Sequence, residues 1–493
     1  MLIELIARLP AEAPVLVIGS HEGRHLSPSA AALDRHLAGR LRRAMAGGRF
    51  TGAIGQHLDL LAPAGFDGRR AILVGLGKAA GLTPLVAQDI GGRIETILAG
   101  MGEGDAVIAL DLAGDLPAHV GFGARLASQR FTKLRTRPQP GDPKPVQRLA
   151  ILAKASPATA RTLARLEALA SGVATARTLV NEPANLLGPE EFVQRARGLK
   201  KLGIKVEVLE EKQLRRLGMG ALLAVGAGSE RRPRLLVLHW KGPKAKKGRP
   251  PLAFVGKGVV FDAGGLGIKK AEGMETMKAD MAGAAAVVGA MQALALRKAP
   301  IEAVGVAALV ENMPSHNSYR PGDIVKTMSG ETIEVIDTDA EGRLILSDAL
   351  YYTVKRFKPR AVMDLATLTY AVGAALGLHH AGVLSNDDGL TKRLIAAGEK
   401  TGERLWRLPI DPAYDANLES SIADIRQVAP NEEVADAVHG AQLLQRFVGK
   451  TPWAHLDIAY TGMFALKEKP TQPKGATGFG VRLLDALAAS YES

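Results

Sequence analysis

Three carboxylates and a guanidinium fall within seven residues, Asp337-Thr338-Asp339-Ala340-Glu341-Gly342-Arg343, between two strongly apolar segments. Beside a core such a cluster is costly unless cations neutralise it. Residues 331–336 carry the β-branched alternation of a strand, and residues 344–357 place apolar side chains at helical spacing. The acids therefore belong on a strand-to-helix turn, where the sites of open α/β sheets form. A capped helix start is the plainer explanation, since acids favour the first turn and its positive dipole end. It accounts for one or two of these residues and leaves the others over.

A second cluster precedes this one. Residues 254–265, Phe-Val-Gly-Lys-Gly-Val-Val-Phe-Asp-Ala-Gly-Gly, set Lys257 and Asp262 into an apolar, glycine-punctuated strand. Neither side chain is ordinarily buried alone. The pair could be a buried salt bridge, but Lys269 and Asp280 follow, the latter opening a small-residue helix over 282–296 that reads as buried on every side. Asp262, Asp280, Asp339 and Glu341 bring four negative charges, which two divalent cations would balance. Shared carboxylates can hold two such ions roughly 3.5–4 Å apart. The chain has no cysteine to offer a thiolate. Lys257 could ligate only as the neutral amine, which needs a pKa well below the usual ~10.4; two adjacent dications would supply that push.

The stretch from residue 176 to 478 resembles the leucyl aminopeptidases, or cytosol aminopeptidases. The resemblance is carried by Thr338-Asp339-Ala340-Glu341-Gly342-Arg343, by Asn181-Glu182-Pro183-Ala184-Asn185, Glu311-Asn312-Met313-Pro314 and Tyr319-Arg320-Pro321-Gly322-Asp323, and by Ala366-Thr367-Leu368-Thr369 and His455-Leu456-Asp457-Ile458-Ala459. It implies one metal on Lys257, Asp262, Asp280 and Glu341, and a second on Asp262, Asp339 and Glu341. The ions would be Zn or Mn, with Mg or Co also suited to these ligands. They would generate hydroxide from water and hold the substrate's free α-amino group, so that only N-termini are trimmed. Lys269 and Arg343 match the family's two catalytic residues outside the ligand set. The first would stabilise the oxyanion and the second would hold a bicarbonate that passes a proton to the leaving amine. Met277, Thr367, Leu368, Tyr370, Ala459 and Gly462 match the pocket for the substrate's first side chain. The resemblance further implies peptide substrates with a free N-terminus and a homohexamer whose sites face an interior cavity.

Several positions depart from the family pattern. Tyr370 and Tyr460 stand where the family usually has glycines. A phenol at Tyr370 should fill or rebuild the first-residue pocket and change its preference; alternatively the two rings turn away and pack on each other. Asp337 replaces the usual Asn, Ala263 a common Ser, and residues 266–270 are a variant of the lysine loop. Residues 431–439 are acidic and lack a glycine-rich run. None of these removes an expected ligand.

The elements that must position these residues read as an α/β chain of two domains. A smaller N-terminal α/β domain is expected over 1–150, a linker helix region over 151–170, and a catalytic domain with a central mixed sheet flanked by helices over 171–493. In the first part, strands over 13–18, 71–74 and 105–110 alternate with helices over 30–45 and 83–98. The Pro/Lys/Arg-rich tract 129–148 marks the exit, and a helix over 157–178, with Ser156 as N-cap, leads onward. Later strands fall near residues 235, 252, 304, 335, 362 and 455.

At 493 residues, 47% hydrophobic and 23% charged, the composition suits a soluble chain of two domains. No zincin helix motif and no Gly-x-Ser-x-Gly occurs, and His455 reads as a satisfied core residue. The start lacks a basic n-region and a long apolar run, so neither signal peptide nor membrane span is expected and the cytoplasm is the expected compartment. The net charge of +13 is concentrated in the tracts 129–148 and 241–249, which are poor in aromatics. DNA binding is thus a possible minor role. The competing hypothesis for the whole chain is a DNA- or partner-binding assembly that keeps the fold and has lost its peptidase activity.

Overall fold

A computed structural model describes residues 1–10, 12–139, 141–154, 156–246, 248–430, 435–464, 466 and 469–492. It resolves into two compact units, one of Met1–Ala170 with Leu466–Lys474, the other of Ser171–Ala465 with Gly475–Ser493. The strand Arg148–Leu152 pairs in parallel with both Leu2–Ile6 and Asp105–Ala109, so the first sheet closes beyond the expected exit at residue 150. The helix Pro157–Asn181 is longer than its pattern predicts and carries the chain from one unit into the other. Ser156 caps it, its Oγ accepting the Ala158 N–H at 3.2 Å.

In the first unit the strand order is Leu2–Ile6, Arg148–Leu152, Asp105–Ala109, Val15–His21, Arg70–Gly77 and His57–Leu61, with His25–Leu26 beside Val15–His21. Its strands are parallel except at His57–Leu61 and His25–Leu26. The single helix expected over 30–45 is instead two, Pro28–His36 and Arg40–Gly47. Ala38 and Gly39 between them adopt φ of 50° and 79°. Left-handed backbone cannot continue a right-handed helix, and hydrophobic periodicity does not register it.

The second unit is built on an eight-stranded mixed sheet in the order Leu405–Arg407, Ala381–Ser385, Trp453–Asp457, Ala361–Ala366, Leu252–Asp262, Glu302–Asn312, Arg234–Lys241 and Lys205–Glu210. Its four central strands are parallel and buried on both faces, hence their unbroken apolar runs. Asp262, Asn312 and Asp457 lie at the carboxyl ends of three of them, and the Thr367–Thr369 segment leaves the end of the fourth. That edge of a parallel sheet is where open α/β folds place their sites.

The strand expected over 331–336 is cut to Thr332–Glu334. It lies in a separate three-stranded sheet with Ile324–Lys326 and Ile425–Arg426 rather than in the main one. The acidic turn is therefore brought to the main sheet by the helix that follows, Glu341–Phe357, whose first three turns are almost wholly buried. On the other face, Ala282–Leu296 is buried on all sides as expected. The stretch Met274–Leu296 is long and apolar enough to cross a membrane, but 89% of its most apolar window is buried inside the fold.

Glycines set how closely these layers approach. A Cβ on Gly256 would lie 2.5 Å from the Ala284 Cα, and one on Gly283 would collide with the Leu365 carbonyl. Gly283→Ala should therefore force the Ala282–Leu296 helix off the sheet and destabilise the protein by about 1–3 kcal/mol. A lowered denaturant midpoint with an unchanged slope would confirm this, and a wild-type midpoint would refute it.

Candidate metal centre

Strand alternation decides which face each residue of Leu252–Asp262 serves. Gly256 faces the Ala282–Leu296 helix, whereas the Lys257 side chain runs along Gly342 at the start of Glu341–Phe357. A Cβ on Gly342 would stand 2.9 Å from the Lys257 Cδ, so only glycine leaves the lysine its channel. At the end of the strand the pairing with Glu302–Asn312 shifts register between Val259 and Asp262. Such a bulge re-aims a side chain. The loop beyond turns through Gly264 and Gly265 at φ of 87° and 62°, where a Cβ on Gly264 would meet Asp339 Oδ1 at 3.0 Å.

The five expected metal ligands and Lys269 converge here. Lys257 Nζ lies 3.0 Å from Asp280 Oδ2 and 2.7 Å from Glu341 Oε1, and donates to the Thr367 carbonyl at 2.7 Å. Lys269 Nζ lies 2.9 Å from Asp262 Oδ2 and 2.5 Å from Asp339 Oδ1. Asp262, Asp280 and Glu341 each offer an oxygen within 4.8 Å of the others, and all three are buried. Asp280 Oδ2, Asp339 Oδ1 and Glu341 Oε1 have lysines at ion-pair distance yet accept no well-formed hydrogen bond. Three buried carboxylate oxygens met only by ammonium groups among the described residues, in a cluster of four acids and two lysines, are a donor set that fits hard or borderline divalent cations.

The electrostatics agree. Burial, with the neighbouring acids added, raises the pKa of Asp280 well above its ordinary value and raises that of Glu341. The same causes push Asp339 up to about 7. Burial opposes the charge on Lys257, but Asp280, Glu341 and Asp262 outweigh it and raise its pKa; Asp262 and Asp339 do the same for Lys269. Without metal the lysines thus hold the carboxylates together as ammonium ions. Lys257 must shed a proton to become a ligand.

An outer layer, which sequence reasoning missed, fixes this inner one. Asn312 Nδ2 donates to Asp262 Oδ1 at 2.8 Å and to the Thr338 carbonyl at 2.9 Å, and the Tyr319 hydroxyl donates to that carbonyl at 2.7 Å. Gln427 Oε1 accepts the N–H groups of Ile336 and Asp337, while its Nε2 donates to Ala340 O. Asp337 Oδ1 accepts the Asp339 N–H at 2.9 Å, so the acid that replaces asparagine shapes the turn. Asp457 accepts from the Leu368 and Ala459 N–H groups and from the Thr369 hydroxyl. Asn312, Tyr319 and Asp457 lie inside the motifs already singled out, but their partners are set by tertiary pairing; Gln427 carries no local signal at all.

The centre opens into a cavity of about 720 Å³, lined by Met277, Thr367, Leu368, Tyr370 and Ala459 among others. Gly462, expected in this lining, stands behind it. A Cβ there would meet Ile458 and Ala282, because the turn after Ala459 carries it inward. The tyrosines do not pack on each other. Tyr460, at a left-handed φ of 65°, lies over Gly373 and beside Phe464 with ring centroids 5.9 Å apart, whereas Tyr370 is 58% exposed at the mouth. Arg343 is buried and faces the cavity; it donates to the Gln427 carbonyl and to Asp436 at 2.7 Å, while its Nε has no partner among the described residues. Of the acidic stretch 431–439, residues 431–434 lie outside the described residues. Among the described residues His455 is only half satisfied: Nδ1 meets Asp364 at 2.6 Å and Nε2 is buried with no partner there.

Residues 174–485 match the catalytic domain of the cytosol aminopeptidase family, and residues 17–138 its N-terminal domain. The chain belongs to the cytosol aminopeptidase family. It is 48% identical over 479 residues to a probable cytosol aminopeptidase of Caulobacter vibrioides, covering 97% of this chain and 96% of that one. With a namesake from Brucella suis it shares 51% over 445 residues, 89% and 88% of the two chains. Among solved structures, a tomato leucine aminopeptidase variant superposes with a TM-score of 0.88 at 32% identity, covering 99% of this chain and 96% of that one. The bottromycin maturation enzyme BotP in complex with Mn does so with 0.85 at 32%, covering 98% and 100%. Family membership makes this protein a metal-dependent aminopeptidase.

Because the ligand set holds protons that metal must displace, metal affinity should rise with pH. The Lys257 proton should weaken binding about tenfold per unit of falling pH across the neutral range, and the Asp339 proton should add to this below about pH 7. Titration calorimetry in buffers of different ionisation heat should register net proton release; an affinity flat between pH 6 and 8 would contradict this account of the centre.

Proposed function

We propose that the protein removes N-terminal residues from peptides at a two-metal centre on Lys257, Asp262, Asp280, Asp339 and Glu341, with Asp262 and Glu341 shared. The observation that carries this reading is the convergence of four acids and two lysines around buried carboxylate oxygens without well-formed hydrogen bonds. Two divalent ions there, Zn or Mn with Mg or Co as alternatives, would supply a nucleophilic hydroxide from water and a Lewis acid for the scissile carbonyl. Lys257 and the carboxylates hold the ions, and the outer hydrogen bonds of Asn312 and Thr367 keep Asp262 and Asp280 oriented. Lys269, an ammonium beside the cavity, stabilises the oxyanion. Arg343, whose Nε has no partner among the described residues, would hold a bicarbonate as proton carrier.

Met277, Thr367, Leu368, Tyr370 and Ala459 receive the first side chain, and the Tyr370 ring narrows that space. The resemblance supports a homohexamer, and the naming of the relatives supports a cytoplasmic location. The intact acid and lysine set argues against the hypothesis of a fold that has lost its peptidase activity.

Metal-stripped protein should regain hydrolysis of aminoacyl-anilides when Mn or Zn is restored. Glu341→Ala should stay inactive, and Lys269→Met should lose about 2.7–4 kcal/mol of transition-state stabilisation. In the same panel Tyr370→Gly should shift the Leu-to-Ala preference; no turnover with any metal would overturn the peptidase reading.

A subsidiary affinity for nucleic acid is supported by a separate feature of the first unit. A cavity there of about 1040 Å³ is lined by Arg93, Arg130, Arg135, Arg137, Lys469 and Lys474, with Asp142 as the one acid among the described residues that line it. Retention on DNA should fall steeply between about 50 and 200 mM salt, and protein that fails to bind even at low salt would rule the affinity out.

A further inference from the structure

We propose that the Tyr370 hydroxyl is the berth that receives the Lys269 ammonium when divalent cations take the carboxylates. Tyr370 would thereby be a positioning residue that helps the centre accept its second metal. This rests on the two-metal reading above and concerns a residue that stands where the family usually has glycine.

Lys269 Nζ has three described polar neighbours: Asp262 Oδ2 at 2.9 Å, Asp339 Oδ1 at 2.5 Å, and Tyr370 Oη, to which it donates at 3.1 Å. The first two are the oxygens a second cation would claim. A dication and an ammonium cannot share them, since like charges at such separations repel strongly in a buried, weakly screened site. Lys269 must withdraw for the metal to bind. Of its three neighbours only the phenol is neutral and outside the proposed ligand set, so it can accept the ammonium without competing for metal. The Lys269 ammonium also lies 5.3 Å from the Tyr370 ring centroid, within range of the ring's negative face.

The berth is well founded at its base. Tyr370 is the first residue of the helix Tyr370–Leu376, capped by Thr369, whose Oγ1 accepts the Val372 N–H and donates to the buried Asp457 at 2.7 Å. Beyond the backbone the ring is 58% exposed, and its described polar contact is with Lys269. The phenol is therefore placed to hold the lysine at the cavity wall, on the side where the substrate carbonyl must lie if Lys269 is to meet its oxyanion. A glycine at 370 offers no such group, and an unberthed ammonium would remain a competitor for Asp262 and Asp339.

The test is a titration of metal-stripped protein with Mn alone, read by electron paramagnetic resonance of the free ion. Tyr370→Phe keeps the ring and removes the acceptor. It should weaken Mn binding about tenfold, the scale of one hydrogen bond to a charged group. Lys269→Met, which removes the competitor, should tighten Mn binding, and adding Tyr370→Phe to that background should change nothing further. On peptide substrate at saturating metal, Tyr370→Phe should lower kcat with KM unchanged. Two-metal binding by the wild type with identical binding by Tyr370→Phe would overturn this inference alone, as would an equal loss in the Lys269→Met background. A wild type that binds no second Mn would overturn it together with the two-metal reading.

Discussion

Four carboxylates, three of them buried and Asp339 half-buried, held together by two lysines are the constraint around which the catalytic unit is organised. Left alone, Asp262, Asp280, Asp339 and Glu341 would repel one another strongly in a weakly polarisable interior. Lys257 bridges one pair and Lys269 the other. The lysines thus keep the ligands within reach of one another. The same contacts oppose loading, because each lysine must give way, one by losing its proton and the other by moving.

Much of the surrounding architecture serves to keep that cluster in place. The carboxyl edge of the four central parallel strands supplies Asp262, Asn312, Asp457 and the Thr367–Thr369 segment, and two helices close from opposite faces, each admitted by glycine. Asp280 comes in on the short helical turn before Ala282–Leu296, and Glu341 opens the other helix. Asn312, Gln427 and Asp457 spend their hydrogen-bonding capacity on the backbone of the site's loops and on one carboxylate, which makes the site rigid before any ligand arrives.

The two tyrosines divide the work that their shared replacement of glycine suggested. Tyr460 accepts a left-handed backbone to lie over Gly373, a packing role with a local strain of order 1 kcal/mol or more. Tyr370 faces solvent at the mouth with its hydroxyl against Lys269. Equal substitutions in sequence therefore have unequal consequences, set by which side of the turn each Cα presents to the cavity.

The sequence by itself determined the chemistry and the class of fold. Acids and lysines in apolar, glycine-punctuated runs are so costly when unpaired that their presence signals a site, and the seven residues from Asp337 to Arg343 are legible for that reason. Buried parallel strands were legible through their continuous apolar runs, and the Ala282–Leu296 helix through its small residues. Tertiary structure alone decided the rest. It put the strand before the acidic turn into a side sheet, split the helix over 30–45 at a left-handed pair, and returned Leu466–Lys474 to the first unit. It also chose Gln427 and Asp436 as the partners of the turn and of Arg343, and set Gly462 behind the cavity. The physical reason is common to all of these. Periodicity and charge report what a residue needs, whereas the partner that meets the need comes from a distant segment, chosen by packing and backbone geometry that local sequence does not encode.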